Sequence, residues 1–207
     1  MASRQSAEER KAQIVAEMLR LADEIGPDRL STTDIARAVG LSQPAIFRHF
    51  PAKGALWLAV AEDIAARLRQ DWATAEAQAV TSAARLRALI GAQLTAISET
   101  PALPSILFSR ELQVDNPALR NVFRGLLGSF QDRLVAAIRD QQVGSGLRRD
   151  ISPEDVAMLL TSLVQGVAIR WTLGARNFSL EQEGLRLLDV QVALLTAKVG
   201  DINEHKK

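Results

Sequence analysis

Cysteine is absent from the 207-residue chain, which excludes a disulfide framework and thiolate metal sites and fits a reducing compartment. Histidine is almost as scarce. His49 and His205 are the only two, too few for an imidazole zinc site. Tyrosine is missing and aromatics make up 4% of residues, which disfavours strands. No apolar run approaches the ~20 residues that span a bilayer, and the polar, charged N-terminus carries no secretory h-region; no membrane association is expected, and the expected location is cytoplasmic. A strong charge of either sign is lacking too. The net charge is +1, and over residues 1–60 eight basic residues stand against seven acidic ones. Bulk electrostatics therefore argues against an indiscriminate nucleic-acid binder. Catalytic signatures are also missing: there is no His-Glu-x-x-His and no Gly-x-Ser-x-Gly, and Gly125-Leu-Leu-Gly128 is too sparse for a phosphate loop. No catalytic residue, metal or cofactor is expected, which leaves an all-helical enzyme or carrier as the weaker reading.

What is present reads as helix nearly throughout. With 47% hydrophobic and 24% charged residues the composition is that of an ordinary globular protein. The length accommodates a small domain plus a larger one. Apolar residues recur at three- and four-residue spacing. Ser6 with Glu9 makes a capping box before the stripe Ile14, Met18, Leu21, Ala22 and Ile25, and Gly26-Pro27 ends it. Ser31 with Asp34 starts a short second helix, Gly40 stops it, Ser42 caps a third, and Pro51-Ala52-Lys53 opens a fourth that runs to about Ala75. Further helices are expected near 82–99 and 103–114, from Asn116-Pro117 to Gly144-Ser145-Gly146, from Ser152-Pro153 to about Gly174, and from Ser179 to about Val199. The tail after Gly200 is expected to fray. The prediction is an all-α protein of about nine helices.

The informative stretch runs from Leu30 to Lys53. Two helices this short cannot stand alone in water, so they must pack on each other and on the first. Ala36 is small where helices approach, Gly40 takes the left-handed turn position, and Leu41 plugs the turn. Helix, glycine turn, helix is the pattern whose second member enters a DNA major groove. Ile46 and Phe50 define its buried side, which turns Gln43, Pro44, Phe47 and Arg48 outward. Gln43 can read adenine through its amide, and Pro44 or Ala45 can meet a thymine methyl. Arg48, His49 and Lys53 can reach phosphates, and backbone N–H groups near Ser31 another. On these features alone the string equally suits any short helical connection, with Gln43 and Arg48 merely solvated.

The whole string in order decides between them. Asp34-Ile-Ala36, Val39-Gly-Leu-Ser42, Ile46-Phe-Arg-His-Phe50 and Pro51-x-Lys53 together resemble the signature of the TetR (tetracycline-repressor-like) family. The resemblance implies a three-helix DNA-binding head over residues 1–54, with a linking helix from 53, and a ligand-binding and dimerisation domain over 55–207. It implies that Ser31 meets a phosphate and Thr33 a base, that Gln43, Pro44 and Ala45 form the base-reading turn, that Phe47, Arg48, His49 and Lys53 grip the backbone, and that Ser42 belongs to the same DNA-binding set. Phe47 departs from the commoner tyrosine and so lacks a hydroxyl for a phosphate. The Arg48-His-Phe-Pro-x-Lys53 segment also resembles the family's nucleoid-occlusion members, which act through a protein partner.

The implied activity is that of a homodimeric repressor on a pseudo-palindromic double-stranded DNA operator, released by an unidentified small-molecule effector. One short helix reads too few base pairs alone. In the last two helices, Val156, Leu159, Leu160, Leu163, Val164 and Val167, with Leu185, Leu188, Val192 and Leu195, are more apolar than surface helices need; Gly166 and Ala168 permit close approach. They suit a subunit interface or, alternatively, the monomer's own core. The effector pocket implied by the resemblance has Phe108, Phe123, Phe130 and Trp171 as candidate walls and Arg110, Gln165 or Arg170 as polar handles. Core packing competes as the explanation of each aromatic.

Overall fold

The computed structural model describes residues 6–144 and 146–196. Among these there are ten helices and no strand: α1 (Ala7–Ile25), α2 (Thr32–Ala38), α3 (Gln43–His49), α4 (Lys53–Gln78), α5 (Ser82–Glu99), α6 (Leu103–Phe108), α7 (Arg110–Asp115), α8 (Pro117–Val143), α9 (Pro153–Leu173) and α10 (Leu180–Thr196). The chain forms two compact units, one running through Arg67 and taking in Thr100–Leu126, the other comprising Leu68–Glu99 and the chain from Leu127 onward. The helices α4 and α8 contribute to both. Ser145, the expected helix end near Val199 and the tail after Gly200 lie outside the described residues.

In the first unit the termini follow the sequence signals. Ser6 and Glu9 form the full capping box, with Glu9 N–H donating to Ser6 Oγ at 3.1 Å and Ser6 N–H to Glu9 Oε2 at 2.7 Å. Ile14, Val15, Met18, Leu21 and Ala22 bury the α1 stripe. Gly40, at φ +68°, closes α2: its N–H reaches Arg37 O at 3.3 Å and that of Leu41 reaches Ala36 O at 2.9 Å, the paired bonds of a left-handed helix stop. Trp57 of α4 is buried, and its Nε1 has no hydrogen-bond partner among the described residues.

Two expectations are corrected here. Ser42 stands at the α3 N-terminus, but its side chain makes no capping bond. A capping hydroxyl serves the N–H of the second or third helical residue; the second is Pro44, which has none, and the third, Ala45, donates to Ser42 O at 2.9 Å. The single helix expected over 103–114 is two, which raises nine to ten. Ser109 breaks it in an extended conformation, accepting from Leu112 N–H at 3.0 Å to start α7 while its hydroxyl donates to Asp28.

In the second unit α10 packs on α5 and α9, and α5 on α9. Gly184 brings α10 close to α5: a Cβ there would lie 2.5 Å from Leu94 Cδ1. Trp72 tilts against Phe130 with ring centroids 4.9 Å apart, and its Nε1 donates to Gln93 Oε1 at 3.0 Å. The Glu76 carboxylate, largely shielded, accepts from both Arg85 and Arg133. By length and a mean hydropathy of 1.5, α9 is apolar enough to cross a membrane, although Thr161, Ser162 and Gln165 interrupt its apolar run.

The apolar residues expected at a subunit interface mostly belong to the core. Val156, Leu160, Val164, Val167, Ala168, Leu188 and Leu195 are buried within one chain. The exposed side keeps Leu159 of the expected set and adds Met158, Ile169 and Leu173 on α9, with Val190 and Leu194 on α10. Because α9 is apolar on both sides, its spacing alone did not tell the core side from the other.

Candidate nucleic-acid interface

α3 has seven residues and survives by burying one side. Ala45, Ile46 and Phe50 are at most 6% exposed, and α3 packs on α2, which packs on α1. The opposite side presents Ser42, Gln43, Pro44, Phe47 and Arg48 to solvent, with His49 half-buried and Lys53 exposed at the start of α4. Ala45 of the expected base-reading set is packed inward, whereas Pro44 is exposed. Phe47, 39% exposed, is a large apolar ring facing water, which suits contact with sugars or methyl groups rather than core packing.

The electrostatics are local. No carboxylate occurs from Ile35 to Ala61, a run that holds Arg37, Arg48 and Lys53. The balanced count over residues 1–60 hides this because the acids concentrate in α1 and the turn after it. Asp34, the acid nearest the run, is engaged locally. The Ser31 hydroxyl and backbone N–H bond its carboxylate and hold its pKa below the ordinary value, with Arg37 assisting and burial opposing. Ser31 is thus engaged in the α2 capping box, whereas Thr33 is exposed on the same helix. Gln43 is also engaged: its Nε2 donates to Thr32 Oγ1 at 2.7 Å. Thr32 was not among the residues singled out from sequence, and no local pattern links two side chains on different helices.

Known proteins match along most of the chain. Residues 14–60 match the family model described as bacterial regulatory proteins, tetR family. Residues 82–196, more than half of the chain, match the BetI-type transcriptional repressor C-terminal domain. The chain belongs to the TetR family. It is a DNA-binding transcriptional regulator of that family and not an enzyme. The nucleoid occlusion factor SlmA of Vibrio atlanticus (strain LGP32) is 24% identical over 187 residues, covering 90% of this chain and 92% of that protein. A TetR-family regulator from Rhodococcus sp. has a TM-score of 0.76 at 20% identity, covering 91% of this chain and all of that one. A regulator from Saccharomonospora viridis, solved in complex with choline, has a TM-score of 0.76 at 22% identity, covering 88% and 95%. The TetR-family architecture of helix-turn-helix head and helical body thus accounts for the ten helices.

The residues expected around an effector fall in both units. Phe108, Arg110 and Phe123 belong to the first unit, Phe130, Gln165 and Trp171 to the second. Phe108 and Arg110 are exposed, while Phe123 is buried. Phe130 is committed to Trp72. Trp171 is buried, donates through Nε1 to Phe178 O at 3.1 Å and carries the Arg176 guanidinium over its ring. Gln165 is half-buried on α9 and Arg170 exposed near its end. A cleft of about 220 Å³ within the first unit is lined by other residues, among them Pro27, Asp28, Trp57 and Glu111.

Proposed function

We propose that this TetR-family regulator is a homodimeric repressor, seated on a pseudo-palindromic operator and released from it by a small-molecule effector. The observation that carries the dimer is the exposed apolar strip of α9 and α10. Met158, Leu159, Ile169 and Leu173 recur at helical spacing with exposed Gly166 between them, and Val190 and Leu194 continue the strip on the adjoining helix. A contiguous apolar surface of this kind marks an interaction site. In the head, Gln43 and Pro44 meet base edges, with Thr33 beside them. Phe47, Arg48, His49 and Lys53, together with Ser31 and Ser42, engage the sugar–phosphate backbone. Such a regulator works beside the chromosome, in the cytoplasm. That the Saccharomonospora regulator was solved in complex with choline supports a small-molecule effector here. That effector must favour the conformer that fits DNA poorly, since equal binding to both shifts nothing.

The test is binding of the purified protein to the DNA upstream of its own gene, titrated against salt, beside an Arg48→Ala/Lys53→Ala variant. Two protomers per site are expected, and the variant is expected to bind more weakly, with a salt slope shallower by about 2 per protomer. Binding indifferent to sequence and to the double substitution would sink the reading. The nucleoid occlusion relatives support a second reading, in which many sites spread along the chromosome replace one or two beside a target gene. Genome-wide site mapping separates the two.

A further inference from the structure

We propose that Thr32 is a positioning residue for base recognition, holding the Gln43 amide in the orientation that reads a base. The proposal rests on the reading that Gln43 meets a base edge. It begins from a hydrogen bond that joins an exposed side chain of α3 to α2: Gln43 Nε2 donates to Thr32 Oγ1 at 2.7 Å, across eleven residues of sequence. An amide nitrogen has two N–H groups, and an amide oxygen is a separate acceptor. The bond to Thr32 consumes one N–H. The remaining N–H and Oε1 are the donor–acceptor pair that adenine N7 and N6 require. In this orientation the nitrogen is the end held at Thr32, and Oε1 is left unbonded to it.

Neighbouring residues leave this task to Thr32. Ser31 is occupied by its capping box with Asp34, and Ser42 makes no side-chain capping bond and supplies no hold on Gln43. Gln43 sits at the first turn of a seven-residue helix, exposed, so an unheld side chain with three rotatable bonds would sample many orientations. Ordering it on the DNA would then count against binding. Thr32 is half-buried at the first position of α2, which fixes the acceptor before DNA arrives.

The experiment uses the full-length protein and a duplex recovered by selecting sites from genomic fragments, with every base pair of one half-site varied in turn. Thr32→Val removes the hydroxyl at nearly constant shape and leaves the Ser31–Asp34 box in place. It is expected to cut affinity about 3- to 10-fold, with the loss confined to discrimination at the base pair that Gln43→Ala also relaxes. Thr32→Ser is expected to restore that discrimination, and Thr32→Val is expected to add nothing in a Gln43→Ala background. A loss from Thr32→Val that is uniform over all duplexes would mean a plain backbone contact and overturn the proposal, as would no loss at all. If Gln43→Ala leaves discrimination intact at every position, base reading by Gln43 itself fails. If Gln43→Ala relaxes one position and Thr32→Val does not, only the role of Thr32 falls. Melting temperatures of the variants keep a folding defect distinct from either result.

Discussion

The two units hold themselves together by different means. The first contains five helices of six to nineteen residues, and three of them start on a side-chain bond: Ser6, Ser31 and Ser109 accept from helix N–H groups, while α3 and α6 start without one. Short helices have few internal bonds to offset nucleation, so chemistry at the ends carries a large share of their stability. The second unit is built from long helices, where close backbone approach and shielded ion pairs do more. Gly184 against Leu94 and Glu76 between Arg85 and Arg133 are its characteristic contacts. The comparison teaches that a DNA-reading head is specified by a few local signals, and a helical body by contacts distant in sequence.

The sharpest way to break this comparison is Gly184→Ala. Although the added Cβ would meet only the tips of Leu94, that side chain is fully buried, so α10 must shift. A loss of about 1–3 kcal/mol is expected, read by denaturant unfolding of the full chain. An unchanged midpoint would show that α10 can slide on α5 freely.

In the head a paired experiment sharpens the same point. Ser31→Ala is expected to cost about 0.5–2 kcal/mol through the lost α2 capping box. Ser42→Ala, at an N-terminus whose side chain makes no capping bond, is expected to change stability little. Equal losses at the two serines would contradict the assignment of their bonds.

The smallest effect is expected from acid. In the head Glu9 and Asp34 are held below their ordinary pKa by capping bonds to Ser6 and Ser31; in the body Asp150 and Glu183 are held low by Arg148 and Arg186. A carboxylate whose folded pKa is depressed stabilises the fold above its unfolded pKa and loses that contribution as pH falls through the folded value. Stability should be level above about pH 5 and decline below about pH 4. Asp34→Asn should blunt the decline, and a melting curve unchanged by pH in that range would refute the linkage.

The same contrast explains what the sequence disclosed. The head was legible because its signals are local: Ser-x-x-acid boxes, Gly40 at the turn, and Ile46 and Phe50 marking the inward side. Ser42 was misjudged as a side-chain cap because the string contains the right residue without showing that Pro44 removes its partner. The burial of Ala45 was not legible because a methyl at this position looks the same in sequence whether it points in or out. The break at Ser109 was hidden by continuous helical spacing, its partner Asp28 lying far away in the chain. In the body, apolar residues on both sides of α9 concealed which ones form the core. Of the aromatics expected around an effector, Phe130 packs on Trp72 and Trp171 bonds to Phe178 O, contacts that sequence spacing does not show.

The three tryptophans give the molecule its own set of optical and magnetic labels. With no tyrosine in the chain, ultraviolet emission comes almost wholly from Trp57, Trp72 and Trp171. Their indole protons differ in kind: the first has no acceptor among the described residues, the second points to an amide oxygen, and the third to a backbone carbonyl. Each should therefore give a resolved indole resonance. Trp57 would report on the head and the other two on the body, so the arrival of DNA and of an effector can be followed separately in the unmodified protein.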